Sequence, residues 1–223
     1  MTRTGTAARP PADFEERADT FFTWVQAHTR EVTIGAAIVA ALGLGGWLYV
    51  RSQQTKEQRG YESLARAELA LNQRNYALAQ NDLERVARRF HGTSAGEQAV
   101  LRLSEVLYAT GKYQQGIGEL QRIANTKDEN LGAAVQGQIA AGYEEMAKFT
   151  EAADHYRQAA AKARFAADSA QFMADAARAY TSAGNAAAAR QIWSELAKDD
   201  ASPVAAEARV RLGELEAHAA GRS

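Results

Sequence analysis

The chain repeats itself at an interval of 36 or 37 residues. Four ten-residue segments, RNYALAQNDL (74–83), GKYQQGIGEL (111–120), AKFTEAADHY (147–156) and GNAAAARQIW (184–193), align without gaps. Their third positions, Tyr76, Tyr113, Phe149 and Ala186, are separated by 37, 36 and 37 residues. Three residues on stands a small side chain each time: Ala79, Gly116, Ala152 and Ala189. Four further on comes a large apolar one: Leu83, Leu120, Tyr156 and Trp193. Upstream, Ala67, Ser104, Ala140 and Ala177 are small, and Ala70, Leu107, Tyr143 and Tyr180 follow three residues later. Every segment after Arg51 reads as helical, so the unit is a helical hairpin. Two helices approach closely only where the facing side chains are small. The aromatic just past the turn is expected to pack back into its hairpin. The large residue of the second helix is expected to fill the space between repeats. No single hairpin buries enough surface alone, so neighbours must stack into a solenoid. A non-repetitive helical bundle is the alternative, and four registers in phase argue against it.

The turn pattern resembles the tetratricopeptide repeat (TPR). Its Gly-x-Tyr/Phe-x-x-Ala turn is met by Gly111, Tyr113 and Gly116 and nearly met by Ala147, Phe149 and Ala152. The repeat it resembles has a period of about 34 residues, so the resemblance implies longer connections here, such as RFHGTSAGE and NTKDENLG. The end units depart most, with Arg74 in place of the turn glycine and Ala186 in place of the aromatic. Terminal units of such stacks are atypical. Ser202 and Pro203 then read as the N-cap and first position of a last helix that covers the open end. The expected fold is all-α: a single transmembrane helix, then a TPR-like α-solenoid of about four hairpins plus a capping helix.

The transmembrane expectation comes from VTIGAAIVAALGLGGWLYV, the uncharged run 32–50 between Glu31 and Arg51. A helix of this length spans about 28 Å, close to the hydrocarbon thickness of about 30 Å. Trp47 and Tyr49 fall at one edge, where amphipathic rings favour the interface. Ala37, Ala41 and Gly45 repeat every four residues, a spacing that lets a second membrane helix approach. The abundance of alanine and glycine is the bland explanation of the same spacing. A cleaved signal peptide fits poorly, because the 31-residue leader holds five acids and WLYVRSQQ has no small-x-small cleavage site. Arg17 and Arg30 precede the run, whereas Arg51, Lys56, Arg59 and Arg66 follow it. By charge alone this favours a cytoplasmic C-terminal side, although long domains translocate regardless of charge. Ahead of the run, residues 1–12 read as disordered. Residues 13–31 read as an amphipathic juxtamembrane helix capped by Asp13, with Phe14, Ala18, Phe21, Phe22 and Val25 on one face. The repeat domain is expected over 51–217, with a disordered tail at 218–223.

Little chemistry is written into the rest. Of 26 basic and 27 acidic residues, residues 1–31 hold four and five, which leaves 22 of each for the remainder. That balance offers no footprint for nucleic acid. Cysteine is absent, which excludes disulfides and thiol catalysis. His28, His91, His155 and His218 lie far apart without ligand spacing. No phosphate loop or nucleophile elbow occurs. The acidic stretch 128–130 reads as a turn and the N-cap of the next helix. No catalytic, cofactor-binding or metal-binding residue is expected, and no enzyme activity.

Repeat solenoids bind along the face lined by their first helices. By register with TPR folds, that peptide groove is expected to involve Tyr61, Leu64, Glu68, Leu101, Glu105, Tyr108, Glu144 and Arg178. The positions of the Lys/Asn carboxylate clamp found in some TPR domains hold Glu68, Glu105, Ala141 and Arg178, so no such clamp is present. A mixed-charge, partly apolar groove suits extended or unfolded polypeptide. The layout as a whole is similar to the YfgM family of bacterial inner-membrane proteins, ancillary subunits of the Sec translocon. The aromatic leader FFTW, the exit GGWLYVRSQQ, the stretch TKDENL and the helix after Ser202-Pro203 carry the resemblance, over roughly residues 13–215. It implies a cytoplasmic N-terminus, a periplasmic repeat domain, and partners among the SecYEG translocon, a periplasmic peptidyl-prolyl isomerase chaperone and unfolded exported chains. The charge count around the anchor runs against that orientation. The alternative is a structural scaffold or accessory subunit of another membrane protein complex.

Overall fold

The computed structural model describes residues 20–21, 23–128 and 131–220. The expected Asp13 cap and the segment 1–12 lie outside them. Nine helices are present among the described residues, besides a helical stretch over 23–27. They are α1 (Thr29–Asn72), α2 (Tyr76–Arg89), α3 (Ser94–Ala109), α4 (Tyr113–Gln121), α5 (Gly132–Glu145), α6 (Phe149–Lys162), α7 (Ala166–Ser182), α8 (Ala186–Leu196) and α9 (Ala205–Ala220). The chain divides into two compact units, one ending at Gln54 and the other beginning at Thr55. α1 runs through this position without a break. The reason is local: residues 51–72 contain no proline, and a lone glycine such as Gly60 does not stop a helix. At the other end α9 runs through Ala220.

In the first unit, α1 is one long helix apolar enough to cross a membrane, with none of that stretch buried. Val39, Leu42 and Tyr49 are each about 70% exposed. The Arg51 guanidinium sits 5.1 Å from the centre of the Trp47 ring. Before it, Trp24 and His28 stack at 5.0 Å, and Phe21 and Trp24 are exposed.

The second unit follows the repeat register. Ala67, Ser104, Ala140 and Ala177 are all fully buried, as are Ala79, Ala152 and Ala189 on the second helices. Leu83, Leu120, Tyr156 and Trp193 are buried between successive hairpins. Truncating a residue such as Trp193 to alanine costs about 3–5 kcal/mol. Helices adjacent in the chain pack on one another from α2 through α9, and α3 also touches α5. The turn aromatics pack back only in part. Tyr76 is exposed, Phe149 is half-buried, and the half-buried Tyr113 sets its ring 5.9 Å from that of Tyr108 in the same hairpin. The closure of each hairpin rests on the small residues and on one recurring turn.

That turn is the same four times over. Arg74, Gly111, Ala147 and Gly184 all have positive φ, of 57, 73, 55 and 76°. The next amide, on Asn75, Lys112, Lys148 and Asn185, donates to the carbonyl five residues back at 2.7 to 3.0 Å. This is the Schellman termination, which the left-handed residue makes possible. The same next residue then caps the second helix. The Asn75 and Asn185 side chains accept from Leu78 N and Ala188 N at 3.2 and 3.1 Å, whereas Lys112 and Lys148 provide no side-chain acceptor.

The two ends are closed differently. In later repeats the positions of Glu62, Arg66 and Leu69 hold Ala99, Leu103 and Val106, which are buried against the preceding hairpin. Here Glu62, Arg66 and Leu69 are exposed, and the two charged residues give this outer face the polar character that terminal repeats need. At the far end α9 covers α8 through Val204, Ala205 and Ala208. Its start departs from expectation: the helix begins at Ala205, and the Ser202 hydroxyl is buried without a partner instead of capping. The 128–130 stretch also differs. α5 is preceded by Leu131 with no side-chain cap, and Asp128 instead accepts from Ser94 Oγ at 2.8 Å across the repeat boundary. Residues 129 and 130 lie outside the described set. The same edge holds Glu57, whose carboxylate accepts from Ser94 N at 3.1 Å and Ala95 N at 2.7 Å. Lys56 Nζ donates to His91 O at 2.9 Å beside it. Charge from α1 thus satisfies the otherwise free amides at the start of α3.

Candidate interaction surfaces

The first helices bring four of the eight expected groove residues onto one exposed stretch. The Tyr61 hydroxyl accepts from Gln98 Nε2 at 3.2 Å, linking α1 to α3. Glu68 and Glu105 are both contacted by Arg102, at 3.4 and 3.0 Å. Leu101 lies half-buried alongside. The paired glutamates, Glu105 foremost, raise the Arg102 guanidinium further above its ordinary value, so it stays charged. The surface is therefore mixed in charge and locally neutralised. It has acceptors, one aromatic hydroxyl and an aliphatic patch, which suits main-chain and mixed side-chain contacts.

The other four fall elsewhere. Leu64 is 4% exposed and belongs to the core between α1, α2 and α3. It follows Tyr61 by three residues and so shares its side of the helix, with Leu64 on the packed part of that side and Tyr61 at its open edge. Tyr108 is a wedge between helices. A Cβ on Gly116 would come within 2.4 Å of its ring, and one on Gly142 within 2.3 Å of its hydroxyl. That hydroxyl donates to Gln138 O at 3.1 Å, and burial pushes its pKa well above the ordinary tyrosine value. Glu144 accepts from the Tyr156 hydroxyl at 2.7 Å, and burial together with this bond holds Tyr156 firmly protonated. Arg178 is bound to Glu207 at 2.7 Å and also to Asp175. Those three residues are structural partners before they are surface.

Sequence reasoning missed Arg102 and Gln98. The available signal was the i, i+3 spacing of Arg102 and Glu105. It also missed a second concavity on the face of the second helices. There a cavity of about 920 Å³ lies between α2 and α4. Val100, Leu103, Leu107 and Ile123 form its floor, and Gln80, Glu84 and Arg88 face Gln115, Glu119 and Arg122 across it. An adjoining cavity of about 640 Å³ shares Val100, His91 and Arg122 and extends toward Thr126 and Asp128. Glu84–Arg88 at 3.3 Å and Glu119–Arg122 at 3.1 Å neutralise its walls. Among the described residues no three His, Cys, Asp or Glu are grouped to hold a metal ion.

No family model matches the sequence, and no curated protein matches it. Solved structures do. The chain is similar to a putative kinesin light chain with nearly identical TPR-like repeats from Podosopora anserina, at TM-score 0.58 and 16% identity over 74% of this chain and 89% of that one. A tetratricopeptide repeat protein from Parabacteroides merdae gives TM-score 0.57 and 14% identity over 72% of this chain and 61% of that one. A MamA double mutant gives 0.50 and 15% over 72% and 96%. At such identities the likeness concerns the fold, which is an all-α, TPR-like solenoid.

Proposed function

We propose that this protein is a membrane-moored adaptor without catalytic activity, whose repeat domain binds polypeptide. One observation carries the reading. The apolar stretch of α1 is wholly exposed, and the chain then continues into TPR-like hairpins, a fold that serves protein–protein interaction. A contiguous apolar surface of that size is not left in water, and its length matches the bilayer core. We assign 32–50 to the membrane, 13–31 to the juxtamembrane helix and 51–217 to the repeats. Tyr61, Glu68, Leu101 and Glu105 are the accessible part of the first-helix groove, and extended chain is its occupant. Mixed charge there favours a partner read by backbone and scattered side chains rather than by one charged terminus.

The YfgM-like resemblance refines this to the bacterial inner membrane, with the N-terminus cytoplasmic and the repeats periplasmic. Its partners are then SecYEG, a periplasmic peptidyl-prolyl isomerase chaperone and unfolded exported chains. Mooring a binding module beside a channel raises its effective concentration there. Two measurements test the proposal. Protease added to intact spheroplasts should cleave the repeats; protection until the membrane is opened reverses the orientation. Gentle crosslinking before detergent extraction should recover translocon components, and recovery of the protein alone removes that partner. A scaffold role is favoured instead by the exposed Ala37, Ala41 and Gly45, where a Cβ on Gly45 meets nothing within 4 Å. Bulky substitutions at these three sites would then dissolve a membrane complex while leaving polypeptide binding intact.

A further inference from the structure

α9 turns one face to α8 and leaves the opposite face uncovered among the described residues. Leu212 and Leu215 pack toward the core, while Ala206, Val210, Gly213 and Ala217 are exposed, Val210 at 61%. A Cβ on Gly213 would meet nothing within 4 Å. Gly213 follows Ala177 by 36 residues, continuing the series Ala67, Ser104, Ala140 and Ala177. Those positions are all fully buried, and small side chains there are what lets the second helix of a hairpin approach. α9 therefore presents the first-helix half of a hairpin, with no second helix seated on it among the described residues.

The charges beside this face specify the occupant. They reflect with opposite sign about the midpoint between Leu212 and Gly213: Arg209 mirrors Glu216, and Arg211 mirrors Glu214. Two identical helices laid antiparallel about a two-fold axis at that point bring Arg209 of each copy to Glu216 of the other. Antiparallel is also the direction in which the second helix of a hairpin runs against the first. Glu216 has no ion-pair partner among the described residues, and Arg209 pairs only with the exposed Asp200, whereas Arg211 pairs with Glu214 and with the half-buried Glu207, so the Arg209–Glu216 match carries the argument. Exposed pairs of this kind are weak and exchange readily. We propose that a second copy of this chain docks its α9 antiparallel on this face, giving a two-fold dimer with Gly213 near the axis. Helices of about 24 Å bury less than the roughly 1,200 Å² of a standard interface, so the dimer is reversible.

The chain has no cysteine, so single cysteines in the full-length, detergent-solubilised protein report on the pairing directly. Gly213→Cys should form a disulfide-linked homodimer under mild oxidation, because the two Cα atoms fall within the roughly 7 Å that a disulfide spans. Ala206→Cys should not, because its two copies stand about 20 Å apart along the axis. Arg209→Glu in the Gly213→Cys background should weaken trapping roughly tenfold, and adding Glu216→Arg should restore it. Thermal melts of each variant separate this from misfolding. Equal crosslinking at 206 and 213, no crosslinking at 213, failure of the double reversal to restore trapping, or capture of a different protein at 213 in cells would each overturn the proposal.

Discussion

Replacing Ala147 with glycine should make the protein more stable, against the usual cost of glycine near a helix. Ala147 is exposed and sits at φ 55°, in the left-handed region. An L-residue there costs about 1–2 kcal/mol. Glycine removes that strain but returns about 0.4–1 kcal/mol through the greater entropy of the unfolded chain. The net gain is about 0.5–1 kcal/mol. For a domain of this size each kcal/mol moves the melting temperature by about 2–4 °C, so Ala147→Gly should add about 1–4 °C. Arg74→Gly, at φ 57°, should behave alike. Gly111→Ala and Gly184→Ala should do the reverse, since a Cβ at either meets open space and only the φ of 73 or 76° penalises it. The assay is far-UV circular dichroism of the four single variants during heating, in one detergent. The reasoning fails if all four substitutions shift the melt in the same direction.

Glu57→Ala should destabilise the first two hairpins by about 1–2 kcal/mol, because the amides of Ser94 and Ala95 lose their acceptor at a helix start; earlier hydrogen exchange of α3 amides is the readout. Gly142→Ala forces Tyr108 aside and should cost about 1–3 kcal/mol. Combined with Tyr108→Ala the loss should be less than the sum of the two, which a double-mutant denaturation series measures. His155 stacks on Tyr143 at 5.3 Å with its Nδ1 2.8 Å from Gln136 Oε1, and burial lowers its pKa despite Asp154 beside it. The folded state then binds its proton less readily than the unfolded one, so stability should fall as pH drops from the ordinary histidine value toward the lower folded one. Urea titrations at stepped pH should show that loss in the parent and not in His155→Gln.

The sequence by itself determined the hairpin stack. Each small residue and each large partner recurs at a fixed interval, and helical packing is decided by neighbours one turn or one hairpin away. Ala67, Ser104, Ala140 and Ala177 were therefore legible as contact points, and the uncharged run as a long exposed helix. The burial of the candidate groove residues was legible only in part. Tyr61 and Leu64 share a helix and differ by less than a turn, yet one is open and the other enclosed by Leu83 and Leu103 from other helices. Tyr108 reads as a surface aromatic until Gly116 and Gly142 are brought around it. The cavity between α2 and α4 exists because two second helices flank α3 without closing over it, a spacing no single segment encodes. Arg74 and Ala147 adopt the left-handed turn without glycine because the hairpin closure on either side requires it. Periodic, nearest-neighbour terms were written in the residues; the burial of individual side chains depended on groups about one repeat away, which only the packed chain brings into contact.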